Sequence, residues 1–465
     1  MVFSSATFIF VFLPVVFIIN LFLRGKGSNI WLLIASLIFY AWGEPEYVVL
    51  LLISLFVNWM IGQTIDAVKD KERKIALVLG IAFNLGILAI YKYAGFGASL
   101  LNMIIGKHLI PDPGIVLPIG ISFYTFQAIS YIVDVYRKDT EASKSFINVA
   151  LYISFFPQLI AGPIVKYRDI NRQITRRKTT WIKVSEGFKR FIYGLAKKVL
   201  ISNVLGESVD VIYNIDITYI NGKAAWIGAL AYTFQIYYDF SGYSDMAIGL
   251  GRMFGFDILE NFNYPYLSKS ISEFWRRWHI SLGTWFKEYL YIPLGGNRKG
   301  QVRTYWNLIL VFFLTGLWHG AEWSFVLWGL YHGLFCIVER IGLKKILDKS
   351  KVLSRLICFT IVNFGWVLFR APNTSSAFRY LVRMVMPWRY INVVCPTRQY
   401  MDEKTIFIGI CAVIGMGALK VLVPKKVYEK WKDSVPEAIY CVILLLLCLA
   451  AIASNTYNPF IYFQF

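Results

Sequence analysis

Charged residues are scarce in this chain of 465 residues: they make up 16% of the sequence, against roughly 25% in a typical soluble domain. Hydrophobic residues account for 57%, and the mean hydropathy is +0.54, which excludes an ordinary soluble enzyme. Solid apolar runs of roughly 17 to 20 residues recur, each long enough to cross a bilayer as a helix. Because the runs do not alternate with polar residues, a transmembrane β-barrel is excluded as well. The sequence predicts an all-α, polytopic membrane protein.

Acidic residues are also few, 28 against 48 lysines and arginines, so the net charge is +20. Lysine and arginine gather in the cytoplasmic loops of membrane proteins, which accounts for most of this charge. No nucleic-acid-binding motif accompanies the charge, so we predict no nucleic-acid partner.

Motifs for metals, nucleotides and serine nucleophiles are missing. The 6 cysteines show no paired metal-ligand spacing, and most lie in or beside apolar runs, where a thiol behaves as a small buried residue. No HExxH, Walker or GxSxG pattern occurs, and Gly249, Gly251 and Gly255 follow no predicted strand. We therefore predict no metal site and no permanently bound cofactor.

The basic loops predict how the chain crosses the membrane. Two basic residues follow the first apolar run, Phe8–Leu23, which places the N-terminus outside. The stretch 146–161 lies between two basic loops that both belong to the cytoplasm, so we predict a re-entrant or half-buried helix broken near Pro157. Counting the membrane crossings along the chain places five arginines on the outer side of the membrane, against the rule that basic residues lie in the cytoplasm. They are Arg370, Arg379, Arg383, Arg389 and Arg398.

We predict a single integral-membrane domain over residues 1–465 with about 11 transmembrane helices. The stretch 264–294 differs from the others, because its aromatic residues recur at helical spacing with charged residues between them, which predicts an amphipathic helix at the cytoplasmic interface. Helices near 304–320 and 323–340 form a hairpin. Further spans are predicted near 186–204, 224–238, 240–256, 353–370, 405–423 and 437–453.

The chain has only 4 histidines, and one of them, His319, stands in the turn of the predicted hairpin, within the run Gly316–Gly320. Imidazole moves protons near neutral pH, and an ionisable side chain in an apolar membrane segment is a functional candidate. The flanking glycines allow close approach, and Trp318 and Trp323 are able to wall a pocket. We predict that neutral His319 takes the proton from an attacking hydroxyl. The alternative is a structural histidine bonded to a backbone carbonyl.

Two other histidines lie near this region of the sequence. His279, on the amphipathic stretch, is a candidate second imidazole or oxyanion donor for a thioester reaction, and the alternative is an interfacial anchor. His332, on the returning helix of the hairpin, is predicted to help packing.

Asp239 and Asp245 lie inside an apolar region. Buried carboxylates need partners, and we predict Arg252, or the pair Arg276 and Arg277, in that role. A proton relay is the alternative to structural pairing.

Several blocks of the sequence resemble the membrane-bound O-acyltransferase family. They are Glu273–Leu282, which contains His279, Thr315–Gly320, which contains His319, and the ending Pro459–Phe465. Val2–Ser5 and Tyr40–Gly43 also match, so the resemblance covers essentially the whole chain. Within the family, the chain is most similar to the branch of bacterial alginate O-acetyltransferase membrane subunits.

The resemblance implies that His319 is the nearly invariant family histidine and His279 a second one. It implies a ring of helices around a thin partition in the bacterial cytoplasmic membrane, with a tunnel from a cytoplasmic donor to an outer funnel. The donor is expected to be acetyl-CoA or another thioester, and either His319 activates the acceptor hydroxyl directly or it carries the acetyl group transiently. The candidate contacts for the CoA phosphates are Arg276, Arg277, Arg298 and Lys299. The alternative role of these four residues is to set the topology of the chain in the membrane.

The expected acceptor is an extracellular or cell-wall polysaccharide, reached through an extracytoplasmic acetyltransferase partner protein, with membrane lipids around the helices. One alternative keeps acyl transfer but changes the acceptor to a lipid or lipid-linked sugar. A second alternative is a transporter without covalent chemistry, although no inverted repeat is visible.

Overall fold

The computed structural model describes residues 1–396, 400–418, 422–454 and 457–461. All regular secondary structure in these ranges is helical. The chain divides into two compact units, Met1–Phe191 with Ser244–Glu260, and Ile192–Tyr243 with Asn261–Phe465. The single domain expected from the sequence stays a prediction.

The first unit has an aromatic core, in which the rings of Phe8, Phe39 and Phe156 lie within 6.3 Å of one another, measured between centroids. Its predicted re-entrant segment is a helix of 9 residues, about 14 Å long, which is too short to cross a ~30 Å hydrocarbon core. Residues 149–161 are buried, and the helix breaks at Phe155, as expected near Pro157. Helices of this unit are Phe8–Phe12, Leu13–Phe22, Gly25–Ala41, Pro45–Tyr47, Val48–Ala67, Asp70–Leu88, Ala89–Tyr93, Ala94–Ile105, Ile121–Arg137, Phe146–Ser154, Phe156–Leu159, Tyr167–Arg176 and, continuing into the second unit, Trp181–Ala196.

The second unit holds every candidate site residue. Its hydrophobic core contains Trp328, Trp366 and Phe274, each 1% exposed. Its helices are Lys197–Ser202, Asn203–Asn214, Ile217–Tyr219, Gly222–Met253 (whose last turns belong to the first unit), Pro265–Leu267, Ile271–Arg277, Ile280–Phe286, Lys287–Tyr291, Gln301–His319, Trp323–Val338, Glu339–Leu343, Lys344–Leu347, Lys351–Arg370, Thr374–Val385, Pro387–Tyr390, Glu403–Val413, Ile414–Ala418, Lys425–Trp431 and Val435–Ser454.

Five helices in the described ranges are long and apolar enough to cross a membrane: Pro45–Ala67, Asp70–Ile105, Trp323–Leu347, Lys351–Arg370 and Val435–Ser454. The count of about 11 transmembrane helices stays a prediction. The hairpin expected around His319 is confirmed, because Gln301–His319 and Trp323–Val338 are antiparallel helices joined by a short turn.

Two expectations from the sequence are wrong. The spans expected near 224–238 and 240–256 are one continuous helix of 32 residues, Gly222–Met253. The charge of Asp239 is neutralised inside the protein, and Gly242 lets the helix approach the carbonyl of Gly194, which a Cβ would meet at 2.8 Å. The stretch 264–294 is not one amphipathic helix either, because the backbone breaks at His279 between two helices of 7 residues.

Candidate active site

His319 is the last residue of its helix and is 4% exposed. Its ring meets three aromatic rings edge to face, those of Trp318 at 4.9 Å, Trp328 at 5.0 Å and Phe369 at 5.3 Å between centroids. The glycines on either side are required, since a Cβ at Gly316 or Gly320 would collide with Phe325 of the returning helix. The close hairpin therefore fixes the imidazole in an aromatic enclosure, to which Trp323, 47% exposed, is peripheral.

His279 is 1% exposed and lies in the left-handed backbone region, with φ +45° and ψ +54°. This conformation costs a non-glycine residue about 1 to 2 kcal/mol. Its neighbours hold it there, because Ile280 donates its backbone N–H to the carbonyl of Asn261 at 2.9 Å. Backbone strain of this kind is typical of residues whose side chain must point in one direction.

The side chain of Asn261 determines which nitrogen of His279 carries the proton. Asn261 Oδ1 accepts the backbone N–H of Ser281 at 3.1 Å and the Ser281 hydroxyl at 2.9 Å, so this atom is the amide oxygen. The same oxygen lies 3.2 Å from His279 Nδ1 and accepts its proton in a hydrogen bond. The lone pair of the imidazole is therefore on Nε2. Sequence reasoning missed Asn261, because no motif marks it.

Burial keeps His279 neutral. The ring lies outside the five helices that are long enough to span a membrane, and desolvation lowers its pKa to about 3. At neutral pH it is thus an uncharged imidazole with a hydrogen-bond acceptor on Nε2.

The structure brings the two predicted histidines together around one indole. The ring of Trp318 lies 4.9 Å from His319 and 6.0 Å from His279, between centroids. Phe240 closes the other side of His279 at 4.6 Å. Two residues about forty positions apart in the sequence thus belong to one buried cluster.

A third histidine extends this cluster. His332 is 0% exposed, and its ring lies 5.3 Å from Trp328 and 5.0 Å from Trp275. Within the described ranges, neither ring nitrogen of His332 has a hydrogen-bonding partner, and neither does the indole nitrogen of Trp275 or Trp328. Leaving such a group unsatisfied costs about 1 to 3 kcal/mol. His332 fits the packing role expected of it.

Glu339 positions the helix that leads to His279. Its carboxylate accepts hydrogen bonds from the backbone N–H groups of Ile271 and Ser272 and from the Ser272 hydroxyl, the last at 2.8 Å. A carboxylate at a helix N-terminus satisfies otherwise unpaired donors. This contact joins the helix to the end of the hairpin, and the sequence alone did not indicate it.

The four candidate CoA contacts differ in their surroundings. Arg276 is exposed and follows Trp275 directly, whereas Arg277 is bonded to Glu273, with N–O distances of 2.8 and 3.0 Å. Arg298 and Lys299 are exposed in the loop before the helix that ends at His319. That helix has 19 residues and is about 28 Å long, so these two lie far from the imidazole.

Asp239, which is buried, and Asp245, which is half-buried, are both paired, as expected, but not with Arg252, Arg276 or Arg277. In the second unit, Asp239 forms an ion pair with Lys198 at 2.5 Å, both almost fully buried. In the first unit, Asp245 pairs with Arg190 at 2.7 Å. The predicted partners were wrong because the sequence does not show which basic side chain the fold brings next to each carboxylate. Arg252 instead binds Glu186, at 2.7 Å.

Comparison with known proteins assigns the chain to a family. Residues 140–373 match the model of the membrane-bound O-acyltransferase family. The chain is 40% identical to a probable alginate O-acetylase of Pseudomonas putida, over 100% of both chains. A probable alginate O-acetylase of Pseudomonas aeruginosa is 47% identical over 82% of this chain and 74% of the relative. A peptidoglycan O-acetyltransferase of Helicobacter pylori is 37% identical over 83% and 80%.

The matched segment includes the hairpin, both clustered histidines, Asn261 and Glu339. The family and these relatives are O-acyltransferases, which confirms the predicted enzyme class and the resemblance in the sequence, and sets aside the transporter alternative. The chain belongs to the membrane-bound O-acyltransferase family.

Proposed function

We propose that the enzyme takes an acetyl group from acetyl-CoA on the cytoplasmic side and delivers it across the membrane for O-acetylation of an extracellular or cell-wall polysaccharide. The observation that carries this proposal is the pair His319 and His279, both buried and both packed against Trp318. Acyl transfer from a thioester to an alcohol needs a group that takes the hydroxyl proton and groups that orient the reactants. Alginate and peptidoglycan, named in two relatives, support a polysaccharide acceptor.

In the proposed reaction, neutral His319 takes the proton of the acceptor hydroxyl while the oxygen attacks the thioester carbonyl. The C–S bond then breaks, and the leaving thiolate takes the proton from the imidazolium. His279 holds its own proton on Nδ1 against Asn261, so its Nε2 is suited to accept a hydrogen bond from the incoming hydroxyl rather than to donate one to an oxyanion. In a two-step variant, a ring nitrogen of His319 attacks the thioester carbonyl, the C–S bond breaks, and CoA leaves as the thiol with the imidazole proton. The acceptor hydroxyl then attacks the acetyl-imidazole, the C–N bond breaks, and the hydroxyl proton returns to the ring.

The donor is proposed to approach along Trp275. This ring lies 5.5 Å from Trp328, which lies 5.0 Å from His319. Arg276 therefore stands at the start of a short aromatic route to the imidazole, and its exposed guanidinium is suited to bind a CoA phosphate. Arg277 is partly occupied by its ion pair with Glu273. Arg298 and Lys299 precede the helix Gln301–His319 and are separated from His319 by its length of about 28 Å. Arg276 is therefore our first candidate for the CoA phosphate contact.

The orientation follows from the charge rule. One end of the hairpin carries Arg298 and Lys299 before its first helix, and five basic residues between 340 and 351 after its second. We assign this end to the cytoplasm, so His319, at the other end of its helix, lies toward the outer face of the cytoplasmic membrane. An outward delivery of this kind fits an extracytoplasmic acetyltransferase partner that completes the modification.

The test uses His319→Ala with His108→Ala as its matched control, since His108 is exposed in a loop of the first unit. Proteoliposomes are supplied with radiolabelled acetyl-CoA outside or inside, and label in water-soluble glycan and in lipid extract is counted. We expect transfer from one face only, lost in His319→Ala and retained in His108→Ala. Full transfer by a folded His319→Ala variant would reject the proposed role of His319. Label confined to the lipid extract would favour the lipid-linked acceptor.

A further inference from the structure

The structure places a set of basic side chains at the end of the second unit opposite the basic segment 340–351. The helix Lys351–Arg370 starts at that segment and is about 30 Å long, so the helix Thr374–Val385, which follows it after three residues, lies at the far end. We call the basic residues of this end the distal basic surface, which consists of Lys223, Arg379, Arg383 and Arg389. Arg398, also expected outside, lies beyond the described ranges.

The distal basic surface is built from three segments that hydrogen bonds hold together. Arg383 donates from Nε to the carbonyl of Ile220 at 2.7 Å. Asn221 donates to the carbonyl of Val393 at 3.0 Å, and Trp226 donates to that of Met384 at 2.9 Å. These bonds fix the start of the helix Gly222–Met253 against the segment 384–393. The charges therefore sit on a preorganised frame rather than on a free loop.

Positive charge dominates this surface. Lys223, Arg379 and Arg389 are exposed, and the guanidinium of Arg383 lies 4.3 Å from the ring centre of Tyr390. The carboxylate that faces them is Asp216, whose pKa is lowered by hydrogen bonds from Thr218 and further by Arg379 and Arg383. Arg370 does not add to the excess, because it is paired with Asp210 at 2.6 Å.

An apolar stripe fixes the depth of the helix Thr374–Val385. Phe378, Val382 and Val385 are 53%, 40% and 51% exposed, and their spacing places them on one helix face. An amphipathic helix of this kind lies in the interface between lipid and water. The exposed Arg379 and Arg389 therefore lie at the level of the head groups and the water, where a soluble polymer reaches them, whereas Arg383 is buried and holds the frame.

The positive charges of the distal basic surface are unexpected at the outer end of the second unit. Lysine and arginine normally concentrate on the cytoplasmic side, so basic residues retained at the outer end oppose the topology signal. Alginate and peptidoglycan, the acceptors named in two relatives, both carry carboxylates. Arginine binds carboxylates in a planar, bidentate geometry, and the 66% exposed Trp388 with Tyr390 offers flat faces for sugar rings.

We propose that the distal basic surface binds a carboxylate-bearing polysaccharide at the outer face of the membrane. This inference rests on the orientation and acceptor class of the proposed function. The surface would hold the polymer close to the end of the hairpin that carries His319, and so raise its local concentration where the acetyl group emerges. Because the contacts are ionic and exposed, binding weakens as salt rises.

The test measures binding of polygalacturonate oligomers to the protein in phosphatidylcholine nanodiscs, where both faces are accessible. Dextran of equal length is the neutral probe. The variant Arg379→Gln/Arg389→Gln removes two exposed charges, and the matched control Lys344→Gln/Lys345→Gln removes two exposed charges at the opposite end. We expect salt-sensitive binding of polygalacturonate but not dextran, weakened about tenfold in the first variant and unchanged in the second.

Equal binding by the wild type and the Arg379/Arg389 variant, or equal binding of dextran, would overturn the inference. If the Arg379/Arg389 variant loses binding to phosphatidylglycerol vesicles but keeps polymer binding, these arginines serve lipid head groups, which would overturn it too. His319→Ala nanodiscs separate this inference from the proposed function. They should lose acetyl transfer and still bind the polymer, whereas failed binding with intact transfer rejects only the surface.

Discussion

Replacing Asn261 with alanine removes the oxygen that accepts the Nδ1 proton of His279. Ser281, whose two donors share this oxygen, is half-buried, whereas His279 is 1% exposed, so the imidazole bears the main loss. An unsatisfied buried donor costs about 1 to 3 kcal/mol, which corresponds to roughly 5- to 160-fold in rate when the lost bond orients a reacting group. The strained backbone at His279 gives a second reason for the ring to move once Asn261 is gone.

The assay is acetyl transfer from acetyl-CoA by purified protein, with kcat and KM measured separately. We expect Asn261→Ala to lower kcat and leave the KM for acetyl-CoA nearly unchanged, because the CoA contacts proposed at Arg276 are not altered. The matched control is Ser281→Ala, which removes one of the three hydrogen bonds to Asn261 Oδ1 and a longer contact of 3.4 Å to His279 Nδ1, and should cost less than about threefold.

The pH profile distinguishes an orienting role from a merely structural one. Burial lowers the pKa of His279 to about 3, so the wild-type rate should show no protonation of this residue between about pH 5 and 8. Asn261→Asp keeps an oxygen acceptor but adds negative charge, which raises the pKa of His279. A new fall in rate toward acid pH should then appear in Asn261→Asp alone. If Asn261→Ala folds with normal kcat and Asn261→Asp keeps the wild-type profile, our assignment of the tautomer is wrong.

The remaining predictions concern the frame around the site. Lys198→Met leaves Asp239 as an unpaired buried charge and should destabilise the protein by about 3 to 5 kcal/mol in thermal unfolding. The control Lys183→Met breaks an exposed pair with Asp257 and should cost less than about 1 kcal/mol. Similar losses of stability in the two variants would contradict the buried ion pair. Gly365→Ala places a Cβ 2.5 Å from His332 Nε2, so the free energy of unfolding should fall by about 1 to 3 kcal/mol and acetyl transfer should decline. The control Gly409→Ala, whose Cβ would meet nothing within 4 Å, should leave stability and transfer nearly unchanged. If Gly365→Ala also left both unchanged, His332 would be free to move.

The hairpin around His319 was predictable because two independent signals coincide there. Apolar runs of sufficient length define its helices, and the run Gly316–Gly320 interrupts them with a histidine that an apolar span would not otherwise keep. The structure places the helix ends at His319 and Trp323, close to the expected boundaries. The short, broken helix at 146–161 was predictable for a similar reason, since the charge rule left no room for a full crossing there, while its re-entrant path stays a prediction.

The break at His279 was not predictable from periodicity. Aromatic residues recur at helical spacing through 264–294, and nothing in that pattern reveals a single residue in the left-handed region. Glycine is the usual residue at such positions, and histidine, which is found there less often, adopts the conformation here because Asn261 holds its neighbours. Tertiary hydrogen bonds override the local preference at this point.

Residues that position a site are harder to find than residues that react in it. His319 and His279 are conspicuous because histidine is rare in apolar sequence, whereas Asn261, Glu339 and Lys198 are ordinary residue types whose role depends on a partner elsewhere. Glu339 reaches the helix Ile271–Arg277 across 68 residues, and Lys198 reaches the segment near Pro459 across 261. The partner of Asp239 was hidden for the same reason, because a buried charge in a membrane protein is neutralised by whichever side chain the packed helices bring to the same depth.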